Sequence, residues 1–356
     1  MSPFRRDDSW GDRRDGGRGG GNGGGDGGGG DDGCDDDRSD GWSGWKAGDG
    51  FLHEAVLYRG ADGLVRSLVP WIEQGLAAGD PVVALVTARS GDALRSALGS
   101  AVSRVHVEDV GELGRNPARI ISVWRAAVER HRRPGQSLRA IGEPVWPGRS
   151  PDELVECGHH ERLLNTAFAD CPDLWLLCPY DVSALPDDLV AGVGQSHPSL
   201  LNGPTRYPCG DYPGQPHPAS VLGDPLPPPP EPLLDDMVVD RGCLPRLRAR
   251  VEEEALDFGL SVRRARDLVL AVSELATNSI LHGGGLGRLR AWASCGNLVY
   301  ELCDRGYVTD PLIGRRRPAP DQLGGRGVWL VNEVCDLVQF RSSAFGTIVR
   351  VHMRPA

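Results

Sequence analysis

With 356 residues, 40% of them hydrophobic and 25% charged, the chain has material for two globular cores and an ordinary soluble composition. A net charge of -10 argues against direct nucleic-acid binding, because a phosphate-reading surface needs a basic excess. Nine scattered cysteines without a C-x-x-C pair read as reduced thiols, no apolar run approaches the roughly 20 residues of a membrane span, and the N-terminus lacks a charged-then-apolar signal layout, so a cytoplasmic protein with no membrane association is expected.

Residues 1–48 are Gly, Asp, Arg and Ser with few aliphatic side chains, which cannot bury enough surface to offset ordering entropy, and predict a disordered acidic tail. Its Gly/Asp run lacks the regular repeat of calcium-binding nonapeptides and reads as a flexible linker. From Phe51 the pattern changes to a strand ending near Tyr58, a helix through Leu64, Leu68, Trp71, Ile72 and Leu76, and the buried strand PVVALVT. Helices at Asp92–Leu98, Pro117–Arg132 and Pro151–Ala169 then alternate with strands at Val102–Val107, Ser137–Gly142 and Leu174–Cys178. Strand–helix–strand repetition predicts a parallel crossover sheet, hence an α/β three-layer domain over residues 51–200.

Two acids in this region follow strands, where open α/β sheets carry ligands: Asp181 after LWLLCPY and Glu143 before Pro144. No G-x-x-x-x-G-K-[ST] run accompanies them, which argues against nucleotide hydrolysis there. Cys157, His159 and His160 have metal-ligand chemistry, but adjacent histidines point about 100° apart on a helix, so a structural role is expected. His53 and Tyr58 in HEAVLY, the run EQGLAAGDPVVALV, IGEPVW at 141–146, ERLLN at 161–165 and CPYD at 178–181 together resemble the MEDS sensory family. That resemblance implies a sensor of unspecified ligand, with His53, Tyr58, Glu143 and Asp181 as candidate ligand contacts.

Proline is dense from His197 to Glu231, predicting a semi-rigid spacer, with a linker at 201–232 between the domains. A second domain, 233–356, opens with an amphipathic helix over Cys243–Phe258. In the next helix, VRRARDLVLAVSELATNSILHG, Leu268, Val272, Leu275, Ala276, Ser279 and Ile280 form a core stripe while Asp267, Glu274 and Asn278 lie opposite. Glu274 and Asn278, four apart, bring a carboxylate and an amide oxygen to one small volume, a pair able to hold hydrated magnesium and orient a proton acceptor. Two strand-like runs, Leu289–Ser294 and Leu298–Cys303, lead to Asp304-Arg305-Gly306, then to GGRG at 324–327 opening a helix, then to Gly346-Thr347.

In this order, SELATNSILHG, DRG, GGRGVWLV and GTIVRVHM resemble the N box, two glycine boxes and closing strand of the GHKL (Bergerat-fold) ATPases, and within them the RsbW-like anti-sigma factor serine kinases. The resemblance implies an α+β two-layer sandwich, antiparallel sheet against helices, that binds ATP and Mg²⁺. Asp304 would accept a hydrogen bond from the adenine amine, Gly306 would let the backbone pass the base, and Thr347 would bond near the adenine. Gly325 and Gly327 would free a phosphate loop at a helix N-terminus, Arg326 would meet the γ-phosphate, Asn278 would ligate Mg²⁺ and Glu274 would take the proton from an incoming hydroxyl.

Val308 stands where the family has a second glycine and stiffens the loop, and Thr309–Leu323, with Arg315-Arg316-Arg317, reads as a short solvated lid. The proline-rich stretch occupies the place of a phosphoacceptor helical hairpin, and the chain stops at Ala356 without the further domain of the gyrase and mismatch-repair branches. The RsbW-like branch implies a protein serine/threonine kinase that phosphorylates a STAS-domain anti-sigma factor antagonist and sequesters a sigma factor, as a homodimer through its C-terminal domain. The alternative is a non-catalytic ATP-binding anti-sigma module.

Overall fold

Apolar strands buried on both faces need a helical layer on each side, and the first half of the chain builds that arrangement. In the computed structural model, which describes residues 50–214, 221–319 and 325–355, the order is β1 (Leu52–Tyr58), α1 (Gly60–Ala78), β2 (Val82–Val86), α2 (Ala88–Leu98), β3 (Val105–Asp109), α3 (Val110–Leu113), α4 (Ile120–His131), β4 (Leu138–Gly142), α5 (Pro151–Ala167), β5 (Leu174–Asp181), α6 (Asp187–Gly192), β6 (Ser199–Asn202) and β7 (Thr205–Pro208). The strands stand in the order β3-β2-β4-β5-β1-β6-β7, all parallel except β7. Alternate residues feed two cores: Ala55, Leu85, Ala140 and Leu176 meet α4 and α5, while Val56, Ala84, Ile141 and Leu177 meet α1 and α2. The expected α/β three-layer architecture is therefore present. The expectation for residues 1–48 falls outside the described residues.

Helix boundaries follow local caps. α2 starts before the expected Asp92 because the Thr87 side chain accepts from Ser90 N (3.3 Å), and a 3₁₀ turn over Gly99–Arg104 delays β3 relative to the expected Val102. The stretch read as a spacer from His197 begins inside the sheet. β6 pairs with β1, and β7 turns back as an edge strand that tolerates prolines. A buried acid pins them: Glu54 of β1 accepts from Trp175 Nε1 (2.8 Å), Ser199 Oγ (2.6 Å) and Arg206 Nη2 (3.1 Å).

The second sheet is antiparallel, ordered β11-β12-β10-β9-β8 from β8 (Asp235–Val239), β9 (Gly287–Ser294), β10 (Asn297–Asp304), β11 (Leu337–Ser343) and β12 (Gly346–Met353). Helices α7 (Leu244–Asp257), α8 (Val262–His282) and α9 (Arg326–Val334) cover one face, where Leu247, Val251, Leu268, Leu275 and Val331 pack on Leu289, Tyr300, Leu302 and Val351. This is the expected α+β two-layer sandwich. Among the described residues no helix is long and apolar enough to cross a membrane, and the eight described cysteines are free.

The opposite face of the second sheet is buried yet polar, and it meets the first domain. Arg341 of β11 reaches Glu156 of α5 at 2.6 Å, Arg350 of β12 donates to the carbonyl of the linker residue Pro227 (2.7 Å), and Arg115 of the first domain lies 3.1 Å from Asp336, just before β11. Asn116 Nδ2 donates to the Asn332 carbonyl (2.9 Å), so α9 is held from the first domain as well. Burial would raise the Glu156 carboxyl, but His159 and Arg341 beside it outweigh that and hold it below its ordinary value.

Candidate functional site

The organising element is α8. Ser261 caps it by accepting from Arg264 N (3.4 Å), and its Ala, Leu and Val stripe is buried against the sheet. Glu274 and Asn278 lie half-buried on its free edge, one turn apart. Gly327, in the first turn of α9, stands directly against them: a β-carbon there would be 2.7 Å from Glu274 Oε2 and 3.3 Å from Asn278 Nδ2. Gly325 caps α9 in the left-handed region (φ 80°), a conformation that suits glycine. Arg326 opens α9 and its guanidinium donates to the Ala319 carbonyl of the lid segment (3.3 Å). The start of one helix and the edge of another thus form a niche of backbone N–H groups, a carboxylate and an amide. Gly324 falls outside the described residues.

One residue further along α8, Ser279 links that niche to a second corner. Asp304, the last residue of β10, accepts from the Ser279 hydroxyl through one oxygen and from Gly306 N (2.7 Å) through the other. Opposite Asp304 across β12 is Thr347, whose hydroxyl donates to the Gly306 carbonyl (2.8 Å). Ser342 Oγ is 2.9 Å from Thr347 Oγ1 and accepts from Val308 N (2.8 Å). Because the Thr347 proton is committed to Gly306, Ser342 is the donor of that pair. Val308, expected to stiffen this loop, is fastened by its backbone to Ser342 and is half-buried.

The structure thus brings Glu274, Asn278, Gly327, Asp304, Gly306 and Thr347 around the C-terminal half of α8, with Gly325 and Arg326 at the mouth. Ser279, read from the sequence as a core-stripe residue, Gly346, read there beside Thr347 in the closing strand, Ser342 and Gly283 belong here too. Gly283 has no room for a side chain, since a β-carbon would lie 2.4 Å from Asp304 Cγ. Gly346 has φ +129° and its β-carbon would sit 2.1 Å from the Asp304 carbonyl oxygen. A helix-ending glycine was the available signal for Gly283. Gly346→Ala is accordingly expected to cost about 1–3 kcal/mol from backbone strain, read as a lower urea midpoint in the full-length protein.

Three of the four candidate sensor contacts converge. Tyr58, Glu143 and Asp181, at the carboxyl ends of β1, β4 and β5, line one cleft of about 60 Å³ with Thr87, Ser90 and Trp146. Glu143 accepts from Thr87 N (2.8 Å), Thr87 Oγ1 (3.0 Å), Ser90 Oγ (3.0 Å) and Tyr58 OH (3.4 Å), yet burial still raises its carboxyl above the ordinary value. Burial likewise pushes the Tyr58 phenol up. Asp181 accepts from Gly60 N (3.2 Å) and Ser183 N (3.0 Å); burial opposes its ionisation, but Ser183 and Gly60 hold its carboxyl low. His53 is not in this cleft: it faces the α5 side of the sheet, 3.2 Å from Glu161. Of the triplet with ligand chemistry, Cys157 donates to the Pro144 carbonyl (3.1 Å), His159 contacts Asp224 (3.1 Å) and His160 is buried.

The lid departs from expectation. Leu312 is buried in the first-domain core with Ile120 and Trp124, Ser122 Oγ donates to the Arg315 carbonyl (2.9 Å), and the Arg315 guanidinium is buried 3.8 Å from Glu156. Only Arg316 and Arg317 of the arginine run are exposed, the latter 6.0 Å above the Trp329 ring. Residues 320–323 fall outside the described residues. Composition could not reveal this, because the partner acid lies in the other domain.

Residues 52–198 match the family model described as MEDS, the MEthanogen/methylotroph, DcmR Sensory domain, and residues 240–353 match the histidine kinase-like ATPase domain. No curated protein matches the chain. Among solved structures it is similar to the RsbU and RsbW domains of Rv1364c from Mycobacterium tuberculosis, with 20% identity, 35% of this chain covered and a TM-score of 0.26. The match spans about a third of that structure's chain (33%).

Proposed function

We propose, on the matches of residues 52–198 to the MEDS model and of residues 240–353 to the histidine kinase-like ATPase model, that the chain is an anti-sigma regulatory factor that binds ATP with Mg²⁺ and phosphorylates a serine or threonine of a STAS-domain antagonist, releasing itself to sequester a sigma factor in the cytoplasm. The observation that carries this reading is the meeting of Gly327 with Glu274 and Asn278 beside Asp304, held by Ser279 and Gly306. Such a pocket fits a nucleotide: side-chain-free backbone where phosphates approach, a fixed carboxylate for an adenine amine, and an amide oxygen for a hard cation.

In this reading ATP supplies the phosphoryl group. Asp304 selects adenine, with Thr347 and Gly306 shaping the wall behind it. The first turn of α9, opened by Gly325, receives phosphate oxygens on backbone N–H groups and its positive dipole end, and Arg326 adds a cation. Asn278 holds Mg²⁺. Glu274 takes the proton of the incoming hydroxyl, while positioning and charge neutralisation carry most of the rate. The burial of Leu312 and Arg315 in the sensory domain supports control of the lid by a signal received in the Tyr58–Glu143–Asp181 cleft. Homodimerisation through the ATPase domain completes the reading.

Glu274→Ala in the full-length protein tests it. Radiolabel from γ-labelled ATP on a STAS-domain substrate is expected to fall at least about 100-fold, with ATP affinity nearly unchanged. Nucleotide binding without any Glu274-dependent transfer would instead leave a non-catalytic ATP-binding anti-sigma module.

A further inference from the structure

A second cluster lies on the α5 side of the first sheet. His53 of β1 and Cys178 of the neighbouring β5 share that face with Ala55 and Tyr180, Glu161 projects from α5, and His197 comes from the segment leading into β6. All four side chains are buried. Glu161 Oε2 is 3.2 Å from His53 Nε2 and 3.0 Å from His197 Nε2, while Cys178 Sγ is 3.4 Å from His53 Nε2. The four donor atoms all lie within 4.8 Å of one another.

Hydrogen bonding satisfies this convergence only in part. His197 Nδ1 is 2.9 Å from the Val193 carbonyl, which only accepts, so that nitrogen carries a proton and Nε2 is the ring nitrogen left to face the cluster. It faces a carboxylate oxygen of Glu161 at 3.0 Å. Neither oxygen of Glu161 nor His197 Nε2 has a hydrogen bond of good geometry, although all are buried. Buried donors and acceptors left this way are costly unless something of positive charge satisfies them together. Two imidazoles, a carboxylate and a thiol are the ligand types of zinc, and bonds of about 2.0–2.3 Å to a tetrahedral centre place ligand atoms about 3.3–3.8 Å apart. The observed 3.0–3.4 Å separations approach that spacing. The Nδ1 contact of His197 to a backbone carbonyl is the outer partner that orients a metal-bound histidine.

We propose that His53, Glu161, Cys178 and His197 bind one divalent transition-metal ion, zinc foremost, in a closed four-ligand site that clasps β1, β5, α5 and the segment before β6. Ligation expels the Cys178 thiol proton and leaves the metal oxidation state unchanged. The adjoining seam, lined by Glu143, Pro144, His160 and Leu164, is too narrow for a water molecule, so the protein supplies every ligand. The proposal is independent of the nucleotide pocket.

The test uses the full-length protein stripped of metal by chelator and titrated with Co²⁺ alone. One equivalent is expected to give intense tetrahedral d–d bands and a thiolate-to-cobalt charge-transfer band, and Zn²⁺ is expected to displace it. Cys178→Ser should remove the charge-transfer band, and His197→Gln should weaken Co²⁺ at least about tenfold, while His106→Ala, at an unrelated half-exposed histidine, changes neither. His197→Gln carries the test if Cys178→Ser does not fold, as judged by circular dichroism. Absence of stoichiometric Co²⁺ and Zn²⁺ binding by the wild type would overturn the proposal, as would a cobalt spectrum and affinity untouched by the ligand substitution that folds.

Discussion

Glu156→Ala is expected to destabilise the full-length protein by about 3–5 kcal/mol, because it strands two buried guanidinium groups, Arg341 and Arg315, in a face closed to water. Removing one member of a buried charge cluster costs far more than its Coulomb energy in water would suggest, since the remaining charges keep their desolvation penalty. Glu156 belongs to α5 of the sensory domain, while Arg341 and Arg315 belong to the sheet and lid of the ATPase domain, so the loss falls on the join between them. The urea midpoint should drop, and tryptic cleavage near Arg316 should accelerate as the lid loses its anchor. Adding Arg341→Met should recover part of the loss, because the double variant leaves one fewer charge unpaired. Equal stability of Glu156→Ala and wild type would show that this ion cluster contributes nothing to the join.

Asp304→Ala is expected to lower ATP affinity at least about 100-fold, equivalent to about 2.7 kcal/mol. The carboxylate is pre-positioned by three independent restraints. Ser279 binds one oxygen, Gly306 N binds the other, and Gly283 and Gly346 close in on its side chain and backbone. Truncation removes the carboxylate proposed to accept from the base and also leaves the Ser279 hydroxyl and Gly306 N without their partner. The substitution lies at a half-exposed strand end, so circular dichroism and thermal unfolding should change little compared with Glu156→Ala. Ser279→Ala should be intermediate, since it frees the carboxylate to rotate but keeps its charge.

How much of this was legible in the sequence depends on how local the cause is. Period-3.6 and period-2 patterns marked β1 to β5, the helices between them and the helix carrying Glu274 and Asn278, because burial of one face dictates each pattern. The order of the N box, the glycine boxes and the closing strand anticipated which residues meet around α8. Ser279 read only as a core-stripe residue and Ser342 not at all, because a hydroxyl reaching a partner 25 residues away, as Ser279 reaches Asp304, leaves no spacing signature. β6 and β7 were hidden by prolines that an edge strand tolerates, and their anchor, Glu54, lies 152 residues from Arg206. Arg315 read as solvated because basic residues in a polar loop usually are; its burial depends on Glu156, an acid in another domain. The His53 cluster was the least legible, since its members come from four separated segments and Cys157, His159 and His160 offered a more conspicuous triplet.

Calorimetric titration of Mg·ATP into the full-length protein, wild type beside Asp304→Ala, decides whether the pocket around α8 holds a nucleotide. Saturable binding of one nucleotide per chain is expected for the wild type, and its loss in the variant. No binding by the wild type, or equal binding by both, would contradict the nucleotide pocket around α8 and with it the kinase reading.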